Sequence, residues 1–186
     1  MKREIRKTAD GSVTIHLPEW NEQYHSIHGA IQEAQHVFLQ AGLHFQLERT
    51  SKKELSILEL GFGTGLNAWL TLLEANTLKV EIAYTTLEAY PVLASEVADL
   101  NYPEHLEQER APFEQLHESK WNELITISNY FDLEKRQQFF DEVDEVEKYN
   151  LIYFDAFGAR VQPELWTEQI FQKMYVALKN EGVLVT

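Results

Sequence analysis

Cysteine is absent from the 186-residue chain, which removes disulfides, thiolate metal sites and cysteine nucleophiles together and fits a reducing cytoplasm. There is no proline- or serine-rich tract, so the chain does not read as a disordered linker. No apolar run is long enough to span a bilayer, and the charged segment 1–7 leads into no hydrophobic stretch of the secretory kind. These absences set the expectation of a soluble, cytoplasmic protein without membrane contact. Basic residues are scarce, 16 Lys and Arg against 30 Asp and Glu, for a formal charge of -14. Such a surface repels polyanions at long range, so a nucleic-acid substrate requires a local basic patch. Lys2, Arg3, Arg6 and Lys7, with Arg160, are the candidates for one. Ordinary solvated side chains are the plainer reading of them, and a basic partner protein is the other source of RNA affinity.

What is present suits one folded domain over residues 1–186: 44% hydrophobic residues and 12% aromatics at a length that supports a single core. Residues 3–17 read as a hairpin, with Ile5, Val13, Ile15 and Leu17 flanking the turn Ala9-Asp10-Gly11-Ser12. From Glu22 to Ala41 apolar residues recur at three- and four-residue steps, predicting an amphipathic helix that ends at Gly42. Residues 1–50 are therefore read as a cap on a core formed by 51–186. In that core, strands 55–60, 80–87, one within 130–140, 149–154 and 183–185 alternate with helices. One helix follows Leu66, one is opened by Pro91, and another carries Trp166, Ile170, Met174 and Ala177 after Pro163. This order predicts an α/β fold with a mostly parallel sheet and helices on both faces. The acidic run 141–147 reads as a solvated loop or helix face. Trp69 and Trp166 fall on apolar helix faces and read as core.

Open parallel sheets bind ligands outside the carboxyl ends of their strands. The loop Gly61-Phe62-Gly63-Thr64-Gly65 stands at such an end, between a strand and a helix. Its glycine spacing is G-x-G-x-G, not the G-x-G-x-x-G of dinucleotide sites, which disfavours an NAD-dependent oxidoreductase. Glu59 precedes the loop. Glu88 ends the second strand, 23 residues beyond Gly65, a distance at which an acid can accept hydrogen bonds from ribose hydroxyls. Asp155 ends the strand 149–154. After the third strand no acid stands out, and Asp141 is the nearest candidate for reading an adenine. Each acid alone also reads as a surface carboxylate or a turn cap. His25 and His28 fall on one helix face without a third ligand nearby, so no metal site is expected.

The acidic-x-G-x-G-x-G arrangement resembles the first motif of class I methyltransferases. Three segments sharpen the likeness. One is Gly61-Phe62-Gly63-Thr64-Gly65-Leu66-Asn67. Another is Asp155-Ala156-Phe157 with Gln162-Pro163-Glu164-Leu165-Trp166-Thr167. The last runs from Tyr24-His25-Ser26 through Gly29-Ala30-Ile31-Gln32-Glu33-Ala34 to Val37-Phe38-Leu39. Together they resemble the methyltransferase domain of the MnmC/MnmD type. The resemblance implies a Rossmann-like fold with S-adenosylmethionine as cofactor, held by Glu59, Gly61, Phe62, Gly63, Thr64, Gly65, Asn67, Glu88 and Asp141. It implies methyl transfer to the aminomethyl group of 5-aminomethyl-2-thiouridine at the transfer RNA wobble position. Asp155 then orients the amine and takes its proton, Phe157 stacks on the uracil, and Tyr24 and His25 stand beside the substrate. The family also continues through a further helix and hairpin after the strand that ends near Thr186, so a truncated end or an uncovered sheet edge is expected here. A separate oxidase acting on the same nucleoside is an implied partner. A methyltransferase for small-molecule or protein amines, and a binding module without catalysis, remain the alternatives.

Overall fold

The computed structural model describes residues 2–50 and 53–186. The expected cap-to-core boundary at Ser51 lies outside the described residues. The hairpin forms as expected: β1 (Glu4–Lys7) pairs antiparallel with β2 (Val13–Leu17), and β3 (Glu22–Gln23) adds a third strand that the sequence pattern assigned to helix.

The helix begins only at Ala30, because residues 22–29 are committed to the hairpin. Tyr24 N–H donates to the Ile15 carbonyl at 2.9 Å, and Ala9 N–H to that of Ile27 at 2.8 Å. Asp10 receives the new helix, its carboxylate accepting from Ser12 and Thr8 as well as the Gln32 amide. Burial pushes the Asp10 carboxyl up, but these donors outweigh it and hold it at about 2.

Gly42 does not stop the helix either. The rod runs through α1 (Ala30–Ala34), a π-helical stretch (Gln35–His44) and α2 (Phe45–Glu48). A Cβ at Gly42 would stand 3.1 Å from the Tyr153 ring and 3.2 Å from Val185. This glycine therefore serves close packing of helix on sheet.

The main sheet has the order β6-β7-β5-β4-β8-β9. It comprises β4 (Glu54–Leu60), β5 (Glu81–Leu87), β6 (Leu124–Ser128), β7 (Phe131–Arg136), β8 (Tyr149–Phe154) and β9 (Leu178–Val185). All pairings are parallel except that of β6 with β7. The expected mostly parallel sheet is thus found, with one antiparallel edge strand that sequence periodicity missed. Its run of five residues is short and nowhere fully buried.

Helices α3 (Leu66–Leu78), α4 (Ala94–Ala98), α5 (Tyr102–His105), α6 (Arg110–Glu118) and α7 (Glu168–Ala177) complete the chain. Pro91 does not open α4, as the sequence suggested. Helix α4 starts at Ala94, where the Glu96 carboxylate accepts the Leu93 amide at 2.7 Å. Strand residues alternate between two cores: Leu55, Ile57, Leu151 and Tyr153 pack with α3 and the N-terminal rod, while Leu58, Leu60, Ile152 and Phe154 pack with α7. Burial on both faces explains the nearly continuous apolar strands. The acidic run is only partly solvated. Burial pushes the Glu145 carboxyl up, but Arg136 and Tyr149 hold it down at about 2.

Candidate active site

Four strand tips are tied together by backbone hydrogen bonds at the carboxyl edge of the sheet. Gly61 and Phe62 N–H donate to the Leu87 carbonyl at 3.0 and 3.1 Å, Asp155 N–H to that of Leu60 at 3.0 Å, and Glu88 N–H to that of Arg136 at 3.0 Å. Here β4 has β5 on one side and β8 on the other, the switch point at which open α/β sheets bind ligands. Above it lies a cavity of about 1290 Å³.

The glycine bend forms its floor. Gly61 has φ +99, and a Cβ there would fall 2.5 Å from the Asp155 carbonyl oxygen; Gly63 has φ +49, with the Tyr24 ring 2.9 Å from where a Cβ would stand. Only glycine meets both demands, of backbone conformation and of close approach.

The structure brings most of the predicted residues to this cavity: Gly61, Phe62, Gly63, Asn67, Glu88, Asp141, Asp155, Phe157, Tyr24 and His25 are all on its wall. Glu88 accepts the Gly63 amide at 3.0 Å on one oxygen and the Tyr90 amide at 2.9 Å on the other. A carboxylate offers about four acceptor positions, so it can still receive donors from a ligand. Asp155 accepts from Asn67 Nδ2 at 2.9 Å. Burial pushes its carboxyl up to about 7, against the pull of that hydrogen bond.

Glu59, Thr64 and Gly65 are not on the wall. Glu59 is fully buried beneath the bend and accepts from Thr86 Oγ1 at 2.6 Å. Thr64 is buried between His25 Nε2, at 2.7 Å, and the Tyr102 hydroxyl, at 3.1 Å. Burial pushes the His25 imidazole down to about 4, so it is neutral and ties the glycine loop to the segment that follows β3.

Trp20, Tyr90, Phe139 and Phe140 also line the wall, and the sequence motifs did not single them out. Trp20 and Tyr24 meet Phe157 edge to face, at 5.6 and 5.0 Å between ring centroids. At the opposite end Tyr90 and Phe139 pair at 6.1 Å, beside Phe140 and Asp141. The adjacent Phe139-Phe140 pair before the acidic run, and Tyr90 two residues beyond Glu88, were the available hints.

The candidate basic patch is largely neutralised by its own neighbours. Lys2 pairs with Glu4 at 2.7 Å, Arg3 with Glu96 at 2.9 Å, Arg6 with Glu4 at 3.5 Å and Arg160 with Glu22 at 2.8 Å. Arg3 and Arg160 strap the N-terminal strands across the cavity, since Arg3 also donates to the Tyr90 carbonyl and Arg160 to those of Trp20 and Asn21. Among the described residues there is no His, Asp and Glu cluster suited to a metal ion, and no helix is long and apolar enough to cross a membrane.

Residues 109–186 match the model of a family described as S-adenosyl-L-methionine-dependent methyltransferase. The bifunctional protein MnmC of Campylobacter fetus, named for tRNA 5-methylaminomethyl-2-thiouridine biosynthesis, is 24% identical over 184 residues, 92% of this chain. An uncharacterized protein of Methanocaldococcus jannaschii is 24% identical over 97% of the chain and 49% of its own length. The chain spans 28% of the Campylobacter MnmC. Among solved structures, MnmC2 from Aquifex aeolicus matches with a TM-score of 0.76 and 27% identity, over all of this chain and 59% of that one. The Rossmann-like methyltransferase fold is therefore established, and the resemblance drawn from the three sequence segments extends along the chain.

Proposed function

We propose that the chain is an S-adenosylmethionine-dependent N-methyltransferase, forming one domain over 1–186 in which residues 1–50 cap the site. Its acceptor is the aminomethyl group of 5-aminomethyl-2-thiouridine at the wobble position of transfer RNA. The observation that carries the reading is the meeting, in one cavity, of the Gly61–Gly63 bend, Glu88 and Asp155.

The residues suit the cofactor. Gly61, Phe62 and Gly63 offer close backbone approach, and Glu88 keeps acceptor capacity for ribose hydroxyls. The Tyr90, Phe139 and Phe140 rings, with Asp141, form a flat-sided end for a base. A volume of about 1290 Å³ exceeds the ~300–1,000 Å³ common for one small ligand, leaving space for an acceptor nucleoside. When bound, S-adenosylmethionine supplies an electrophilic methyl group on a sulfonium.

The chain's part is to present a neutral amine. An alkylamine is mostly protonated at neutral pH, so a base is needed whose own affinity for protons lies near the working pH. Asp155, pushed up to about 7 by burial, meets that need; Asn67 fixes its carboxylate, and Phe157, walled by Trp20 and Tyr24, stacks on the base. Stacking on an aromatic side chain contributes about 1–3 kcal/mol per base. Since Lys2, Arg3, Arg6 and Arg160 are paired, this short-range contact carries acceptor recognition within the chain. Long-range attraction for RNA, and the oxidase chemistry on the same nucleoside, fall to other domains or proteins.

The paired basic patch favours a second reading, methylation of a small or protein-borne amine. Incubation with labelled S-adenosylmethionine separates the two. Label entering hypomodified transfer RNA supports the first, label entering amines or proteins alone supports the second, and binding without transfer leaves a non-catalytic module.

A further inference from the structure

Glu59 lies next to the cavity without touching it. It sits on β4 beneath the glycine bend, fully buried, while Asn67 and Asp155 are both on the cavity wall. One oxygen, Oε2, accepts from Thr86 Oγ1 at 2.6 Å. Three buried polar atoms in this neighbourhood have no hydrogen-bond partner: Glu59 Oε1, Asn67 Oδ1 and the Tyr84 hydroxyl. Asn67 and Tyr84 are also the side chains, besides Thr86, whose hydrogen-bonding groups bear on the Glu59 carboxyl. Buried polar atoms left unpaired are costly, so the arrangement calls for an explanation.

The donor and acceptor count supplies one. Asn67 spends Nδ2 on Asp155 Oδ2 at 2.9 Å, which leaves its carbonyl oxygen in need of a donor. An ionised Glu59 has only lone pairs to offer. A protonated Glu59 has one O–H, which satisfies Asn67 Oδ1 while Tyr84 O–H satisfies the same carboxyl. We propose that Glu59 is a positioning residue and not a cofactor ligand: as a neutral carboxylic acid it donates to Asn67 Oδ1 and so locks the Asn67 amide with its Nδ2 on Asp155.

The groups facing Glu59 support that state. They are Thr86 and Tyr84 from β5, Tyr153 from β8 with Asp155 just beyond its end, and Asn67 from α3, with no cation among them. Burial pushes the Glu59 carboxyl up to about 8 and the charge of Asp155 adds to it, outweighing the hydrogen-bonding groups of Thr86, Tyr84 and Asn67, which pull the other way. The proposal rests on the methyltransferase reading only for what Asp155 does once it is held.

The first test uses the ligand-free protein. Infrared spectroscopy at pH 7 on Asp155→Asn, which removes the band that Asp155 itself gives, shows a protonated carboxyl band that is lost in the double variant Glu59→Gln/Asp155→Asn. Absence of the band from Asp155→Asn, or its survival in the double variant, overturns the proposal. In the same samples the Asn67 side-chain amide resonances shift in Glu59→Ala and return toward wild type in Glu59→Gln, which restores a donor; unmoved resonances in both variants also overturn it. Calorimetry with S-adenosylhomocysteine gives affinities within about threefold of wild type for Glu59→Gln. A tenfold or greater loss places Glu59 on the cofactor and overturns the proposal. With acceptor present, Glu59→Ala lowers kcat at least tenfold with little change in KM for the cofactor, and Glu59→Gln recovers part of the loss. A wild-type protein that neither binds S-adenosylhomocysteine nor transfers methyl groups sinks the enzymatic reading, while the spectroscopic result still decides the role of Glu59.

Discussion

The two ends of the cavity use the same kind of residue, an acid at a strand tip, under different conditions. Glu88 ends β5 at a half-open site and receives two backbone amides, from Gly63 and Tyr90. Asp155 ends β8, receives one side-chain amide, from Asn67, and lies close to a second buried acid. Glu88 is thus built as a fixed acceptor, and Asp155 as a group that can change protonation near neutrality. Their difference comes from what surrounds the strand tips, since the strands themselves are neighbours of β4 on either side.

The strongest way to break the contrast is to destroy the bend that serves both ends. Gly61→Ala puts a Cβ 2.5 Å from the Asp155 carbonyl oxygen, a rigid backbone atom, at a φ of +99. Binding of S-adenosylhomocysteine should fall at least a hundredfold by calorimetry, with a lower melting temperature. Wild-type affinity in this variant would move the cofactor to another site.

Asp155→Asn attacks the acceptor end alone. Loss of a general base costs about 10²–10⁴ in rate, so kcat should drop by that order while S-adenosylhomocysteine still binds within about threefold. The same variant carries a pH signature. A carboxyl raised in the folded state to about 7 from 3.8 holds a proton that the unfolded chain has lost. Folding stability therefore declines as pH rises between those values. The substituted amide does not titrate and carries no such penalty, so differential scanning calorimetry should find the variant melting higher than wild type at pH 8 and close to it at pH 4. Equal offsets at both pH values would show that Asp155 is not held up.

Glu88→Ala attacks the other end. Hydrogen bonds to a charged group contribute about 1.5–3 kcal/mol, so cofactor affinity should weaken by roughly ten- to a hundredfold, more than kcat at saturation falls. An affinity within twofold of wild type would take ribose recognition away from Glu88. The smallest effect belongs to Arg160→Ala. Its ion pair with Glu22 is exposed, and such pairs contribute about 0.2–1 kcal/mol. Melting should shift by no more than a few degrees, less still in molar salt. A larger shift would make this strap a main support of the cap.

How far these contrasts were legible in the sequence differs along the chain. The strands β4, β5 and β8 and the bend after β4 were readable because burial on both faces makes apolar runs and because the glycine spacing is local. Glu88 and Asp155 were readable as strand-end acids for the same reason. The start of the N-terminal helix was not, since periodicity runs back through Glu22 while the hydrogen bonds of Tyr24 and Ala9 to the hairpin region override it. Gly42 read as a stop although its role is packing against Tyr153 and Val185. Glu59 read as a cofactor ligand from its motif position, which says nothing of its burial beneath the bend and off the cavity wall. Trp20, Tyr90 and Phe139 join the wall through contacts between distant segments, which no spacing reveals.

The wall around Phe157 has a consequence for how the protein is made. Trp20 and Tyr24 leave the ribosome more than a hundred residues before Phe157 and Arg160, against which they rest. Throughout that interval the early segment can meet Thr64, Tyr90 and Glu96 but not the ring and guanidinium that complete its wall. Completion of the pocket therefore waits on synthesis of residues 155–160, and a nascent chain halted before residue 155 holds a cap without the chamber it covers.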